Sequence, residues 1–229
     1  DIIEISKEKK EVNIGSIPIV YEDSDYLVVN KPSGMLTVST DKEKDRTLYH
    51  KVREYVNTKE KHEKIFIVHR LDRETSGLVL FCKNEKLRDK IQENWENVAV
   101  LREYRCVVSG IMEKKKARLV NFLKENKANI VYVANDGKKA ITSYEVLKED
   151  NNSLLRIIIE TGRKNQIRVQ LANINHPIIG DKKYGKGGKK LLLCANRLDI
   201  KDPRNGKILS FEINIPREYL RNLSTTSNK

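Results

Sequence analysis

The sequence predicts an α+β fold on a mixed, mostly antiparallel sheet with flanking helices. Three observations carry this. About nine short runs rich in Val, Ile and Leu, bounded by turn-forming residues, read as strands. About three segments repeat their apolar residues at helical spacing. The two kinds interleave irregularly, without the regular alternation that builds a parallel sheet. The 229 residues suit one large domain or two small ones and can bury a proper core.

Residues 1–16 carry mixed charge and little periodicity, so they read as an arm or linker ahead of a catalytic domain over 17–229. The chain opens at Asp1 without a methionine, as a fragment or a processed chain does. Ile19–Tyr21 and Tyr26–Asn30 flank the turn former Glu22-Asp23-Ser24-Asp25 and predict a hairpin. Lys31-Pro32-Ser33-Gly34 follows as a loop. Thr47 is placed to cap a helix whose apolar positions are Leu48, Val52, Tyr55 and Val56. Lys59–Lys64 is a charged loop, and Ile65–Val68 a β-branched strand that runs into His69-Arg70-Leu71-Asp72. Leu78–Cys82 is the next strand.

Asn84 is placed to cap a helix carrying Leu87, Ile91 and Trp95 on one face. Arg105–Val108 is a strand ending near Gly110. Ile130–Val133, Ile141–Leu147 and Leu154–Glu160 are further strands, with Asn135-Asp136-Gly137 turning between the first two. Ile167, Leu171 and Ile174 mark a third helix, which His176-Pro177 stops. Leu191–Leu198 and Leu209–Ile215 are late strands around the turn Asp202–Gly206.

Composition narrows the function. Lys and Arg number 45 against 32 Asp and Glu, a formal net charge of +13, and the isoelectric point is near 9.5. Basic residues that neutralise phosphates release condensed counterions, so nucleic acid is the leading partner. Between Lys182 and Lys190 the sequence holds five lysines, one tyrosine and no acid. No apolar run reaches the roughly 18–20 residues that span a bilayer, which excludes a helical membrane protein. Cys82, Cys106 and Cys194 are widely spaced in apolar runs, without metal-ligand spacing, and read as buried free thiols in a reducing cytoplasm.

Several chemistries fail on their residues. Gly180 to Lys186 fits the first seven positions of a phosphate-binding P-loop, but Gly187 stands where a magnesium-binding hydroxyl is needed. No dinucleotide fingerprint, zinc-deaminase signature or hydrolase nucleophile elbow is present.

Two segments do carry chemistry. His69-Arg70-Leu71-Asp72-Arg73-Glu74-Thr75-Ser76-Gly77 sets one carboxylate between two guanidinium groups at a strand end. Adjacent positive charge favours ionised Asp72, and a partly desolvated carboxylate can serve as nucleophile or base. A structural salt bridge is the plain alternative. Glu160 to Arg168 leads from a strand into a helix, and Asn175 to Asp181 closes it. Arg163 and Arg168 need not share a helical face, and an inward arginine beside Ile167 requires an anionic partner. Asp72 is a candidate for that partner; the alternative is that both arginines only bind backbone phosphates.

Together these segments resemble the RluA-type pseudouridine synthases, which isomerise uridines in RNA. The family pattern His-Arg-Leu-Asp-x-x-Thr-Ser-Gly stands in full at His69–Gly77, and Lys-Pro-x-Gly at Lys31–Gly34. A basic-x-Tyr strand start is matched by Arg102-Glu103-Tyr104. Thr161–Arg168 and His176–Gly185 match two further family stretches, in the family's order. Asn165 stands where the family usually has His. The small N-terminal RNA-binding domain of many relatives is absent or lies before Asp1.

The resemblance implies a bent sheet in two halves around a central cleft. It implies Asp72 as the catalytic aspartate, which either attacks the sugar or abstracts a sugar proton to give a glycal-like intermediate; the sequence leaves both routes open. Tyr104 resembles the tyrosine that stacks on the base, and Arg168 the arginine that pairs with the aspartate. Ile167 resembles the apolar residue flanking the uracil. Arg70 resembles the arginine that fills the gap left by a flipped nucleotide. Arg73, Arg163 and Lys31 complete the expected substrate contacts. No cofactor or metal is implied, since isomerisation needs neither redox partner nor Lewis acid. The expected RNA is ribosomal rather than transfer RNA, and the expected state is a monomer. A non-catalytic RNA-binding or ribosome-assembly protein on the same fold is the competing reading.

Overall fold

The structure, a computed structural model, describes residues 2–4, 13–41, 43–59 and 63–224. The chain divides into two compact units, Asp1–Leu101 with Ala195–Ile213, and Arg102–Cys194 with Asn214–Lys229. An α+β, mostly antiparallel architecture is what the sequence predicts, and it is what the described residues form. Most of the predicted arm, residues 1 and 5–12, lies outside them.

The first unit holds strands β1 (Ile2–Glu4), β2 (Asn13–Ile14), β3 (Ile17–Glu22), β4 (Tyr26–Lys31), β5 (Phe66–Ile67) and β6 (Ser76–Cys82). Its helices are α1 (Leu48–Lys59), α2 (Glu85–Glu93) and α3 (Trp95–Val98). Strand β12 (Leu193–Lys201) enters it from the second unit, and β13 (Ile208–Glu212) follows. The order runs β2-β3-β4-β6-β12, with β13 antiparallel to β12 and β1 parallel to β13. All seven residues of β6 are buried, as expected of a central strand covered on both faces. Its side chains meet Tyr26, Val28, Leu198 and Phe211 in a core that Leu87 and Ile91 of α2 close.

Two predicted caps are present. The Thr47 hydroxyl accepts the His50 N–H at 3.2 Å and the Asn84 side chain accepts the Leu87 N–H at 3.1 Å. Strands β1 and β2 fall within the stretch read as an arm, and the end of α2 also differs from expectation. Trp95 does not continue the α2 face, because Asn94 leaves helical geometry (φ −119°, ψ 28°) and Trp95 begins α3.

The second unit holds β7 (Leu101–Ser109), β8 (Lys116–Glu125), β9 (Val131–Ala134), β10 (Lys138–Glu149), β11 (Asn152–Ile159), α4 (Gln166–Asn173) and α5 (Glu218–Arg221). Its order is β7-β11-β10-β8-β9, antiparallel throughout. Strand β8 has no counterpart among the predicted strands. It lies between β9 and β10, so the Asn135-Asp136-Gly137 turn joins strands that do not pair with each other. Ile167 and Leu171 of α4 enter one core with Cys106, Leu155 and Ile157, while Val169 meets Leu123, Val131 and Ala140 in another.

Candidate active site

In the first unit the site is a turn held through its backbone. Asp72 opens a tight turn in which its carbonyl accepts the Thr75 N–H at 3.1 Å. The loop after β4 grips every residue beside it. Thr37, 2% exposed, bonds both main-chain groups of Leu71: its hydroxyl donates to the carbonyl at 2.6 Å and accepts the N–H at 3.2 Å. The Arg73 carbonyl accepts the Gly34 N–H at 2.8 Å and the Lys31 ammonium at 3.1 Å. The Ser33 hydroxyl donates to the Glu74 carbonyl at 2.7 Å. The strand that follows is fixed as tightly. A Cβ on Gly77 would sit 2.2 Å from the Ala195 carbonyl oxygen, and its φ of +119° is one that side-chain-bearing residues rarely adopt.

Lys31 is fully buried at the end of β4 and also donates to the carbonyls of Pro32 (3.1 Å) and Met35 (2.7 Å). With all three donors on carbonyls, it organises the loop that carries Asp72. Burial pushes its ammonium down to about 8, while the nearby carboxylates of Asp72 and Glu74 act the other way. Asp72 is half-buried, with Arg70 and Arg73 exposed on either side; Arg73 pairs with Glu43 at 2.7 Å. His69 faces the core, where its Nε2 accepts the Leu80 N–H at 3.1 Å and its ring stacks on Trp95 at 5.0 Å.

In the second unit the site is a guanidinium held through its side chain. Arg168, on α4, donates from Nε to Asp181 Oδ2 at 2.8 Å and from Nη2 to Oδ1 at 2.7 Å, with the two side chains 8% and 0% exposed. The inward arginine expected from the sequence thus has a buried anionic partner, but it is Asp181, a residue not foreseen in that role, where the sequence offered Asp72 as the candidate. Asp181 Oδ1 also accepts the N–H groups of Lys183 (2.8 Å) and Tyr184 (3.0 Å). Burial alone would raise the Asp181 carboxyl; the guanidinium and the two N–H groups outweigh it and hold it below its ordinary value.

Asn165, the departure from the family pattern, has a structural role. It precedes α4 at φ 54°, a conformation asparagine tolerates better than most residues. Its Oδ1 accepts Arg168 Nη1 at 3.2 Å and its Nδ2 donates to the Tyr184 hydroxyl at 3.1 Å. The Tyr184 ring lies beneath the guanidinium at 5.3 Å, within cation–π range.

Tyr104 sits on β7 opposite Ile157, half-buried against the core that contains Ile167. Arg163 is half-buried, and its Nε donates to the Lys139 carbonyl at 3.1 Å. Sequence reasoning singled out neither Thr37 nor Asp181. Thr37 had no local signal. Asp181 lay inside a quoted motif, and its position after an unpaired inward arginine was the available clue. Among the described residues no group of three His, Cys, Asp or Glu side chains is placed to hold a metal ion, and no helix is long and apolar enough to cross a membrane.

Comparison with known proteins gives the family. Residues 25–173 match the family model described as RNA pseudouridylate synthase. A Bacillus subtilis protein, the uncharacterized RNA pseudouridine synthase YhcT, is 30% identical over 93% of this chain and 72% of its own length. Ribosomal large subunit pseudouridine synthase D of Neisseria meningitidis is 30% identical over 97% of this chain; the matched part is 66% of that protein. Synthase C of Rickettsia prowazekii is 31% identical over 90% of this chain and 70% of its own length. The human RNA pseudouridylate synthase domain-containing 4 structure shares the fold, with a TM-score of 0.75 at 19% identity over 90% of this chain and 91% of that one. With well over half of its length matched to the family model, the chain belongs to the RNA pseudouridylate synthase family and is an RNA-modifying isomerase.

Proposed function

We propose that Asp72 is the catalytic group of this isomerase and that it acts on a uridine turned out of its stack. The observation that carries this is the backbone clamp around Asp72. Leu71, Arg73 and Glu74 are all bonded to the loop at residues 31–37, while among the described residues of its own unit no side chain bonds the Asp72 carboxylate. A group fixed in place but not consumed by structural bonds is what chemistry at a single sugar requires. The reaction breaks the bond from ribose C1′ to uracil N1, turns the base, joins C1′ to C5, releases the C5 proton and protonates N1, so atoms balance without a co-substrate.

Tyr104 stacks on the base in this reading, and exposed Arg70 fills the space the nucleotide leaves. Turning the base out costs a few kcal/mol and least in loops, which favours a structured RNA with an unpaired target. Large-subunit ribosomal RNA is the proposed substrate, because synthases D and C among the relatives are named for the ribosomal large subunit.

The test is tritium release from RNA labelled at uracil C5, for the parent chain and for Asp72→Asn. Release by the parent and none by the variant is the expected result. Equal release by both would remove Asp72 from the chemistry, and release from transfer RNA alone would overturn the choice of substrate.

A further inference from the structure

Several exposed cations are neutralised by carboxylates of the fold. Exposed Lys59 pairs with Glu22, Lys116 with Glu145, and Lys124 with Asp136, each through a carboxylate of the fold. The loop between Gly180 and Lys190 in the second unit departs from this. Lys190 pairs with Glu218 at 2.6 Å, and Lys183 donates to the Asn129 carbonyl at 2.5 Å. Lys182, Lys186 and Lys189 are exposed, and no carboxylate among the described residues pairs with them. The one acid of the segment, Asp181, is fully buried and turned onto Arg168.

The loop is closed and stiff. A Cβ on Gly180 would lie 1.7 Å from the Lys190 carbonyl oxygen, and one on Gly188 would lie 3.0 Å from the Gly180 Cα, so backbone meets backbone at its base. Its interior is tied to a single residue. Besides the two N–H groups on its carboxylate, Asp181 accepts at its carbonyl the N–H groups of Gly185 (3.1 Å) and Gly187 (2.9 Å). Three uncompensated cations are thereby displayed along one ordered loop, with little conformational freedom left to lose on binding.

We propose that this loop grips the RNA backbone, with Lys182, Lys186 and Lys189 taking phosphates. This rests on the reading of the chain as an enzyme that acts on RNA. Three cations spread along a closed loop suit a polyanion rather than a small anionic ligand, which would need them to converge. Asp181 anchors both the loop and Arg168, so the grip and that guanidinium share one rigid support.

The test is binding of a fluorescein-labelled oligouridylate of about 20 nucleotides, followed by anisotropy across about 50–300 mM salt. Each phosphate contact on a single strand contributes about 0.7 to the slope of log Kd against log salt, so loss of three lowers it by about 2. Lys182→Glu, Lys186→Glu and Lys189→Glu together are expected to lower the slope by that amount and weaken Kd at least tenfold at low salt. A control reversal of equal charge at Lys51, Lys86 and Lys90, exposed lysines of the first unit, is expected to stay within about threefold of the parent. The neutral Lys182→Gln, Lys186→Gln, Lys189→Gln variant adds no acid and must show the same loss of slope. An unchanged slope in the loop variants, an equal loss in the control, or no binding by the parent overturns the proposal. Binding is read without turnover, so failed tritium release would sink the catalytic reading and leave this measurement standing.

Discussion

Asp181→Asn isolates the support of Arg168 at nearly constant volume. The carboxylate makes two bonds to the guanidinium and accepts two main-chain N–H groups, inside a site where Arg168 is 8% and Asp181 0% exposed. If the amide oxygen takes the Oδ1 position, the amide nitrogen faces the Nε–H of Arg168, donor against donor. The opposite orientation loses the bonds to Nη2, Lys183 and Tyr184 together. Either way a buried guanidinium loses its carboxylate partner, which costs about 3–5 kcal/mol. At about 2–4 °C per kcal/mol for a chain of this size, the melting temperature should fall by roughly 6–20 °C at neutral pH. The pH dependence carries its own sign. The folded carboxyl titrates below its unfolded value of about 3.9, so its stabilisation is complete above that value and is lost as pH falls through the folded one. Thermal unfolding of parent and variant should therefore differ by a constant amount from about pH 6 to 8, and the gap should close in acid below about pH 4. A variant that melts within about 2 °C of the parent at pH 7, or a gap that persists undiminished in acid, would refute the reasoning.

Thr37→Val removes the one hydroxyl that serves both main-chain groups of Leu71 and leaves both buried, at about 1–3 kcal/mol each. It should lower the rate of tritium release at saturating RNA at least tenfold, with Thr37→Ser recovering most of the loss; a serine variant no better than valine would show that the hydroxyl does not position the turn. Gly77→Ala forces a Cβ to within 2.2 Å of the Ala195 carbonyl oxygen at a φ of +119°, so the strand after the turn must move. Soluble expression with a melting temperature equal to the parent's would contradict that packing.

What was legible in the sequence was local. The Asn84 cap with Leu87 and Ile91 one helical turn apart, and the uninterrupted apolar run of β6, carry their structure in consecutive residues. Strand β8 does not. Its exposed positions include Lys116, Val120, Phe122 and Lys124, only Leu123 is buried, and it is held by main-chain pairing to β9 and β10. Charge at alternate positions there reads as a solvated loop until the neighbouring strands are known. Trp95 misled in the opposite direction: it fits the helical spacing of Leu87 and Ile91, yet the chain breaks at Asn94 and the indole reaches His69 from a new helix. The candidate residues divide the same way. Nine consecutive residues single out Asp72 as a candidate, whereas the Thr37 clamp joins residues 34 apart, and the Arg168–Asp181 pair spans a helix end that periodicity cannot fold back.

Asp72 in the first unit and Arg168 in the second are fixed by opposite means, and the roles proposed for them explain why. A carboxylate that must react is weakened as nucleophile and base by every hydrogen bond that stabilises its charge. Holding Asp72 through the main chain of Leu71, Arg73 and Glu74 sets its place without occupying its oxygens. An arginine that is only to present charge loses nothing by being bonded, and a buried guanidinium without a carboxylate would be very costly. Arg168 is accordingly held at its side chain, by Asp181, Asn165 and the face of Tyr184. It follows that variants of the residue 31–37 loop should act on the rate of the chemical step through the position of Asp72. Variants around Asp181 should act first on stability, and then on whatever RNA contact the lysine loop makes.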